Sequence, residues 1–248
     1  MILKQIYLYP DLVEFQGRSQ DVAIIRDQTR HICNFLERQL ATFKFNCEKF
    51  NKICIIGCSA PLRAMYLVSS NALAVPVVFD IDRCRAIPTH LLAAYYIDLL
   101  VIGLTRAASE LAIPLDDLLR WLDAFKAGGY RNAWTFKDKN FRHAGIRCRL
   151  DCSMTLDAFT LKLHVSKKGE TICDRVILVT PPDEVAFHYR FKDVIIEDDK
   201  LMVTTKITVG DGHILYSVPL SELTAGAIES PSLGADGNTM NRPVAGVP

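Results

Sequence analysis

The sequence has no excess of charge of either sign. Its 29 lysine and arginine residues stand against 28 aspartate and glutamate residues, a formal net charge of +1. No global field therefore steers the chain to nucleic acid or to an anionic membrane. It also lacks a long apolar run. The most apolar stretch, Leu91–Leu104, has 14 residues and contains Asp98, whereas a membrane span needs roughly 20 residues with few charges. That stretch reads as a buried helix. No export signal is visible, because Met1–Leu8 is short and Pro10, Asp11 and Glu14 follow at once. There is no internal repeat, no Walker loop, no G-x-S-x-G and no H-E-x-x-H, and the six histidines are scattered. These absences point to a cytoplasmic chain without a cofactor and without a membrane partner.

Cysteine, by contrast, is plentiful. The eight are Cys33, Cys47, Cys54, Cys58, Cys84, Cys148, Cys152 and Cys173. Several sit in apolar, β-branched stretches, where a free thiol behaves as a small hydrophobe. Without an export signal, reduced thiols are the economical reading.

With 248 residues, half of them apolar, the chain is long enough for one large domain or two small ones. Leu3–Tyr9 alternates apolar and polar residues and reads as a strand closed by Pro10. Gln20–Phe45 has helical spacing, and Lys52–Gly57 and Pro76–Ile81 read as short buried strands. Two adjacent helices are expected at 88–111 and 114–127, ended by Gly128-Gly129. After Arg131 the pattern changes to short strands: Asn132–Lys137, Gly145–Asp151, Ala158–Val165, Thr171–Thr180, Phe187–Phe191, Val194–Glu197, Leu201–Val209 and His213–Ser217. Tight turn sequences such as Lys167-Lys168-Gly169 and Asp198-Asp199-Lys200 separate them, which implies an antiparallel meander. The expected fold class is α+β, with a mixed part over 1–129 and an antiparallel β part over 130–223, either sharing one core or each with its own. The segment 224–248 has four glycines, three prolines and no aromatic residue, and is expected to be disordered.

Four places hold candidate chemistry. Cys54-x3-Cys58 and Cys148-x3-Cys152 are paired thiols, and His143 and Cys173 complete a four-ligand zinc set with the second pair. Simple alternation along a strand explains the same spacing. Gly57-Cys58-Ser59-Ala60 follows a strand, where α/β enzymes place a nucleophile or an anion-binding turn. Asp80 and Asp82 at a strand end suit a divalent cation and a nucleotide-sugar phosphate, or else a solvated turn beside Arg83 and Arg85. Residues 126–149 hold seven basic side chains (Lys126, Arg131, Lys137, Lys139, Arg142, Arg147, Arg149) against Asp138 alone, interleaved with Tyr130, Trp134, Phe136 and Phe141. That mixture suits single-stranded nucleic acid, and equally an amphipathic strand with aromatic residues inward and lysines outward. The acidic counterpart, Asp193 with Glu197, Asp198 and Asp199, suits a hairpin or a docking patch.

Three features together resemble the cytosolic immunity proteins of bacterial polymorphic-toxin systems, of the contact-dependent or type VI kind. They are the opening strand Lys4–Pro10, the succession Val77-Val78-Phe79-Asp80, two helices and Tyr130…Asn132…Trp134-Thr135-Phe136, and the closing meander. The resemblance implies a stoichiometric inhibitor of a cognate protein toxin, with no catalytic residue, no metal and no cofactor. Its contact face is then expected on the β part, at Arg131, Trp134, Arg142, Arg147 and Asp198, as charged and aromatic anchors. The neutral charge departs from the acidity of many nuclease-directed members and argues against a nuclease as the partner. Two alternatives stay open: a metal-dependent nucleotide or nucleotide-sugar enzyme using Asp80 and Asp82, and a nucleic-acid binder using 126–149, although nucleic acid is not the expected partner.

Overall fold

A computed structural model describes residues 1–59, 63–209 and 212–223. The expected disordered segment 224–248 lies outside the described residues, as does Ala60 of the Gly57–Ala60 turn. The elements in chain order are β1 (Gln5–Pro10), α1 (Ser19–Phe43), β2 (Lys52–Cys58), β3 (Tyr66–Val68), β4 (Ala72–Val78), α2 (Ile81–Ala86), α3 (Thr89–Ala108) and α4 (Leu115–Ala127). There follow β5 (Asn132–Phe141), β6 (Ile146–Met154), β7 (Phe159–Lys167), β8 (Glu170–Thr180), α5 (Glu184–Phe187), β9 (Asp193–Glu197), β10 (Lys200–Val209), β11 (Gly212–Pro219) and α6 (Leu220–Leu223). The α+β class and the β meander expected from the sequence are both present.

The first part is a sheet in the order β1-β2-β4-β3. β1, β2 and β4 run parallel, with Ile6 beside Ile53 and Ile53 beside Leu73, and β3 runs antiparallel to β4. One face carries Ile6, Leu8, Ile53, Ile55, Leu73, Val75 and Val77, all buried in a core shared with α1, α3 and α4. α1 contributes Val22, Ile25, Thr29, Ile32, Cys33, Leu36 and Leu40 at three- and four-residue spacing. α3 is 20 residues long and, by length and composition, apolar enough to cross a membrane. Here its buried side packs on the sheet, closely enough that a Cβ at Gly103 would lie 2.8 Å from the Ile55 side chain.

α1 also closes the open edge of β1. The Thr29 hydroxyl donates to the Leu8 carbonyl, Arg30 donates to the Ile6 carbonyl, and the Ile6 N–H donates to Glu37. An edge strand satisfied in this way offers no template for another chain.

The second part is a two-layer β structure. β5-β6-β7-β8 form an antiparallel meander and β11-β10-β9 a second antiparallel sheet. Cys148, Leu150, Cys152, Leu161, Leu163 and Val165 from the first sheet meet Val194, Leu201, Val203 and Val218 from the second in their own core. The turns at Lys168-Gly169 and Asp198-Asp199 have positive φ at both positions, the geometry of two-residue hairpins whose twist matches the strands.

Two sequence expectations are corrected. Phe187–Phe191 is not a strand. Asp183 accepts a hydrogen bond from the Val185 N–H and starts α5. Phe187 and Phe191, four residues apart, then both stack on Phe159, at 3.7 and 5.8 Å between ring centroids. A single helical turn over Glu184–Phe187 and the turn after it therefore replace the expected strand. The strand expected at Pro76–Ile81 is instead Ala72–Val78, because Asp80 accepts from the Asp82 and Arg83 N–H groups and turns the chain into α2.

A polar network joins the two parts. Arg30 forks to Glu184 of α5 at 2.6 and 2.7 Å and to Glu37 at 2.7 and 3.2 Å, and its guanidinium lies 4.4 Å from the Tyr7 ring centroid. Asn34 donates to Glu184, Asn132 donates to the His31 carbonyl and to Asn34, and Arg38 donates to Asn132 while stacking on Trp134.

Candidate functional site

Of the residues expected to touch a partner, the outer face of the β5–β8 sheet carries Arg147. Register places Thr135, Asp151 and Lys162 in one row and Asp138, Arg149, His164 and Asp174 in the next. The charges on this face are paired with one another. Arg147 forks to Asp138, Arg149 donates to Asp151, and Lys162 lies 2.8 Å from Asp174. Arg147 and Lys162 hold the Asp138 and Asp174 carboxyls, respectively, below the usual range through these hydrogen bonds.

Three more cations of the basic stretch are paired, whereas Arg131 and Arg142 have no ion pair among the described residues. Lys137 and Lys139 both reach Asp193, and Lys126 reaches Asp98. Trp134, Phe136 and Phe141 pack against the second core, and Tyr130 against the first. Five of the seven cations of the run that looks basic in sequence are thus paired with acids, and its aromatic residues pack inward and are not presented for stacking.

The five expected contact residues do not share one patch. Arg131 and Trp134 line a groove of about 520 Å³ with Thr135, Arg149, Ser153 and Lys162. Trp134 stands on the inner side of β5, opposite Cys152, under Arg38. Arg147 stands on the outer face of β6. Arg142 is exposed in the β5–β6 turn, and Asp198 in the β9–β10 turn of the other sheet.

The other candidates separate similarly. Asp80 caps α2, and Asp82 pairs with Arg18 at 2.8 Å. Cys148 and Cys152 point into the core from one face of β6, about 13 Å apart at strand rise. Among the described residues one group places three possible ligand atoms together: the Asp11 and Glu14 carboxylates and the Cys58 thiol, all within 4.8 Å of one another at the carboxyl ends of β1 and β2. There Asp11 accepts from the Val13 and Glu14 N–H groups, and Glu14 accepts from the Ser59 N–H. Burial pushes the Cys58 thiol up, and the two carboxylates push it the same way.

The feature sequence reasoning missed is on the opposite side of the parallel sheet. Tyr7 and Tyr9 of β1, Cys54 and Ile56 of β2, Ala74, Pro76 and Val78 of β4, and Tyr66 and Val68 of β3 share this face by register. None of these side chains belongs to either core. Tyr66, Val68 and Val78 are 48%, 41% and 57% exposed. Tyr7 and Tyr9 are half-buried, while Cys54 and Ala74 lie buried between the larger side chains. Burial pushes the Tyr9 phenol up, with the Cys54 thiol beside it adding to the effect. The alternation of β1 marks Tyr7 and Tyr9 as one face in the sequence, but nothing local reveals that no described element covers them.

No family model, no curated protein and no solved structure matches the chain.

Proposed function

We propose that the protein works by binding another protein through the open face of its parallel sheet, as an immunity-type inhibitor of a cognate toxin. One observation carries this reading. Parallel sheets are normally covered on both faces, and here one face presents tyrosines and aliphatic side chains with no described layer over them. Aromatic anchors amid apolar surface are the usual centre of a protein interface. The outer face of the β5–β8 sheet, with Arg147, is the weaker choice for a contact face, because its Arg147–Asp138, Arg149–Asp151 and Lys162–Asp174 pairs are already made and gain little from a partner.

The test is neutralisation. The protein encoded next to this one in its genome is expressed as the candidate toxin, with and without the chain. Wild type is expected to restore growth, and Tyr66→Ala with Val78→Asp to abolish the rescue while the chain still folds. Rescue by the double variant as complete as by wild type would sink the reading.

The Asp11, Glu14 and Cys58 group supports a second reading, a metal-dependent enzyme with its site at the carboxyl ends of the parallel strands, where open α/β sheets place ligands. On this reading the site moves from Asp80 and Asp82 to those three residues. A rise in melting temperature with Mn²⁺, Mg²⁺ or Zn²⁺ that disappears in Glu14→Gln is then expected. Identical melting with and without each ion would remove it.

A further inference from the structure

Resting on the binding reading above, we infer that the open sheet face receives a particular kind of partner segment: a large apolar side chain flanked by a carboxylate. The composition of the slot at the β1 end of this face sets this preference. Tyr7, Tyr9 and Leu12 form apolar walls, Cys54 forms the floor, and Arg26 and Lys52 stand on the rim, around about 250 Å³. That volume is below the roughly 300–1,000 Å³ of small-molecule pockets. It suits one or two side chains of a protein partner rather than a free metabolite.

The slot's lining holds two cations and no carboxylate, and with Asp27 paired to Arg26 the rim keeps one positive charge in excess. The Lys52 ammonium lies 5.5 Å from the Tyr7 ring centroid, and no Asp or Glu of the described residues is within ion-pairing distance of it. Arg26 holds Asp27 with Nε and Nη2 on a single carboxylate oxygen, which leaves the second oxygen and one edge of the guanidinium free for another group. The Arg30 guanidinium, on the other side of Tyr7, is saturated by Glu37, Glu184 and the Ile6 carbonyl. A basic segment would meet two like charges at the rim. An acidic residue beside an inserted apolar side chain meets two cations whose pairing is incomplete, and gains orientation as well as attraction.

The experiment uses the full chain and a random dodecapeptide phage library, with selection on wild type and counter-selection on Leu12→Ser, a change at an exposed wall residue. Enriched peptides are expected to carry Asp or Glu within two residues of Leu, Ile, Phe, Met or Trp. As synthetic peptides they should lose about tenfold or more in affinity for Lys52→Glu and for Arg26→Glu. Replacing the peptide carboxylate by lysine should restore affinity for Lys52→Glu. Peptides without an acidic residue, peptides indifferent to both rim substitutions, or no enrichment against Leu12→Ser would each overturn the inference. Loss of toxin rescue in Tyr66→Ala with Val78→Asp, seen together with any of those results, would leave the docking face standing and remove only its preference for an acidic segment.

Discussion

Replacing Arg30 by methionine is the sharpest test of how the two parts are held together. The guanidinium is 4% exposed, and its partners Glu37 and Glu184 are 14% and 28% exposed. Its removal leaves two carboxylates facing each other with little water and strands the Ile6 carbonyl at the edge of β1. Breaking a buried pair by deleting one partner costs about 3–5 kcal/mol. For a chain of this size that corresponds to about 6–20 °C in melting temperature. The loss should also depend on pH. Burial pushes the Glu37 carboxyl up even with Arg30 in place. At Glu184 burial acts in the same direction, but the hydrogen bonds and charge of Arg30, with Asn34, outweigh it and hold that carboxyl down. Without the arginine both carboxyls rise above their unfolded values. The stability of the variant is then greatest in acid and is lost as pH increases through those raised values. The difference from wild type is therefore largest at neutral pH and narrows towards pH 4. Urea unfolding followed by tryptophan fluorescence and by circular dichroism measures it. Adding Glu184→Gln to Arg30→Met should recover part of the loss. A loss below about 1 kcal/mol, or one constant with pH, would refute the view that this network is a buried, charged junction.

Two further outcomes follow from buried groups. Burial lowers His31 to about 4 from its ordinary 6.5, and neither ring nitrogen has a hydrogen-bond partner. The unfolded chain takes up a proton as pH falls through about 6.5 while the native chain does not, so stability drops by about 3 kcal/mol between there and pH 4. His31→Leu should remove that component, and a difference between the two proteins that is flat from pH 7 to 4 would contradict it. The thiols of Cys33, Cys148 and Cys152 are pushed up to about 12 by burial, and only Cys173 is more than marginally exposed. Native protein should therefore react quickly with an aromatic disulfide reagent at Cys173 alone, and Cys173→Ser should remove the fast phase. Rapid reaction of several thiols would show that these cysteines are not packed as hydrophobes.

What was legible in the sequence was local. The helices α3 and α4 follow from apolar residues at helical spacing, although the stripe Leu91, Leu92, Tyr95, Leu99 and Ile102 leaves Leu91 and Ile102 exposed, and the β5–β8 meander follows from alternation between short turn sequences. The strand order β1-β2-β4-β3 depends on pairings between distant segments, and β3, only Tyr66-Leu67-Val68, is too short to show a period. The same limit hid the site. Lys137 and Lys139 are neutralised by Asp193, and Lys126 by Asp98, partners far away in sequence, so a local count overstated the basic patch. The tyrosines of β1 alternate plainly with Ile6 and Leu8. Which of the two faces acquires helices is decided by the crossover of α1 and the docking of α3, not by β1 itself.

The central claim, that the face of the parallel sheet left bare by the described elements is where a partner protein docks, is tested most directly by site-specific photocrosslinking in the native cell. A benzophenone amino acid is placed at Tyr66, Val78 or Leu12 on the open face, and at Arg147, Ser166 or Arg142 on the outer side and turn of the β5–β6–β7 meander. The account predicts one discrete crosslinked protein from the first three positions and none from the second three. Crosslinks confined to Arg147, Ser166 or Arg142, or none from any open-face position, would contradict it.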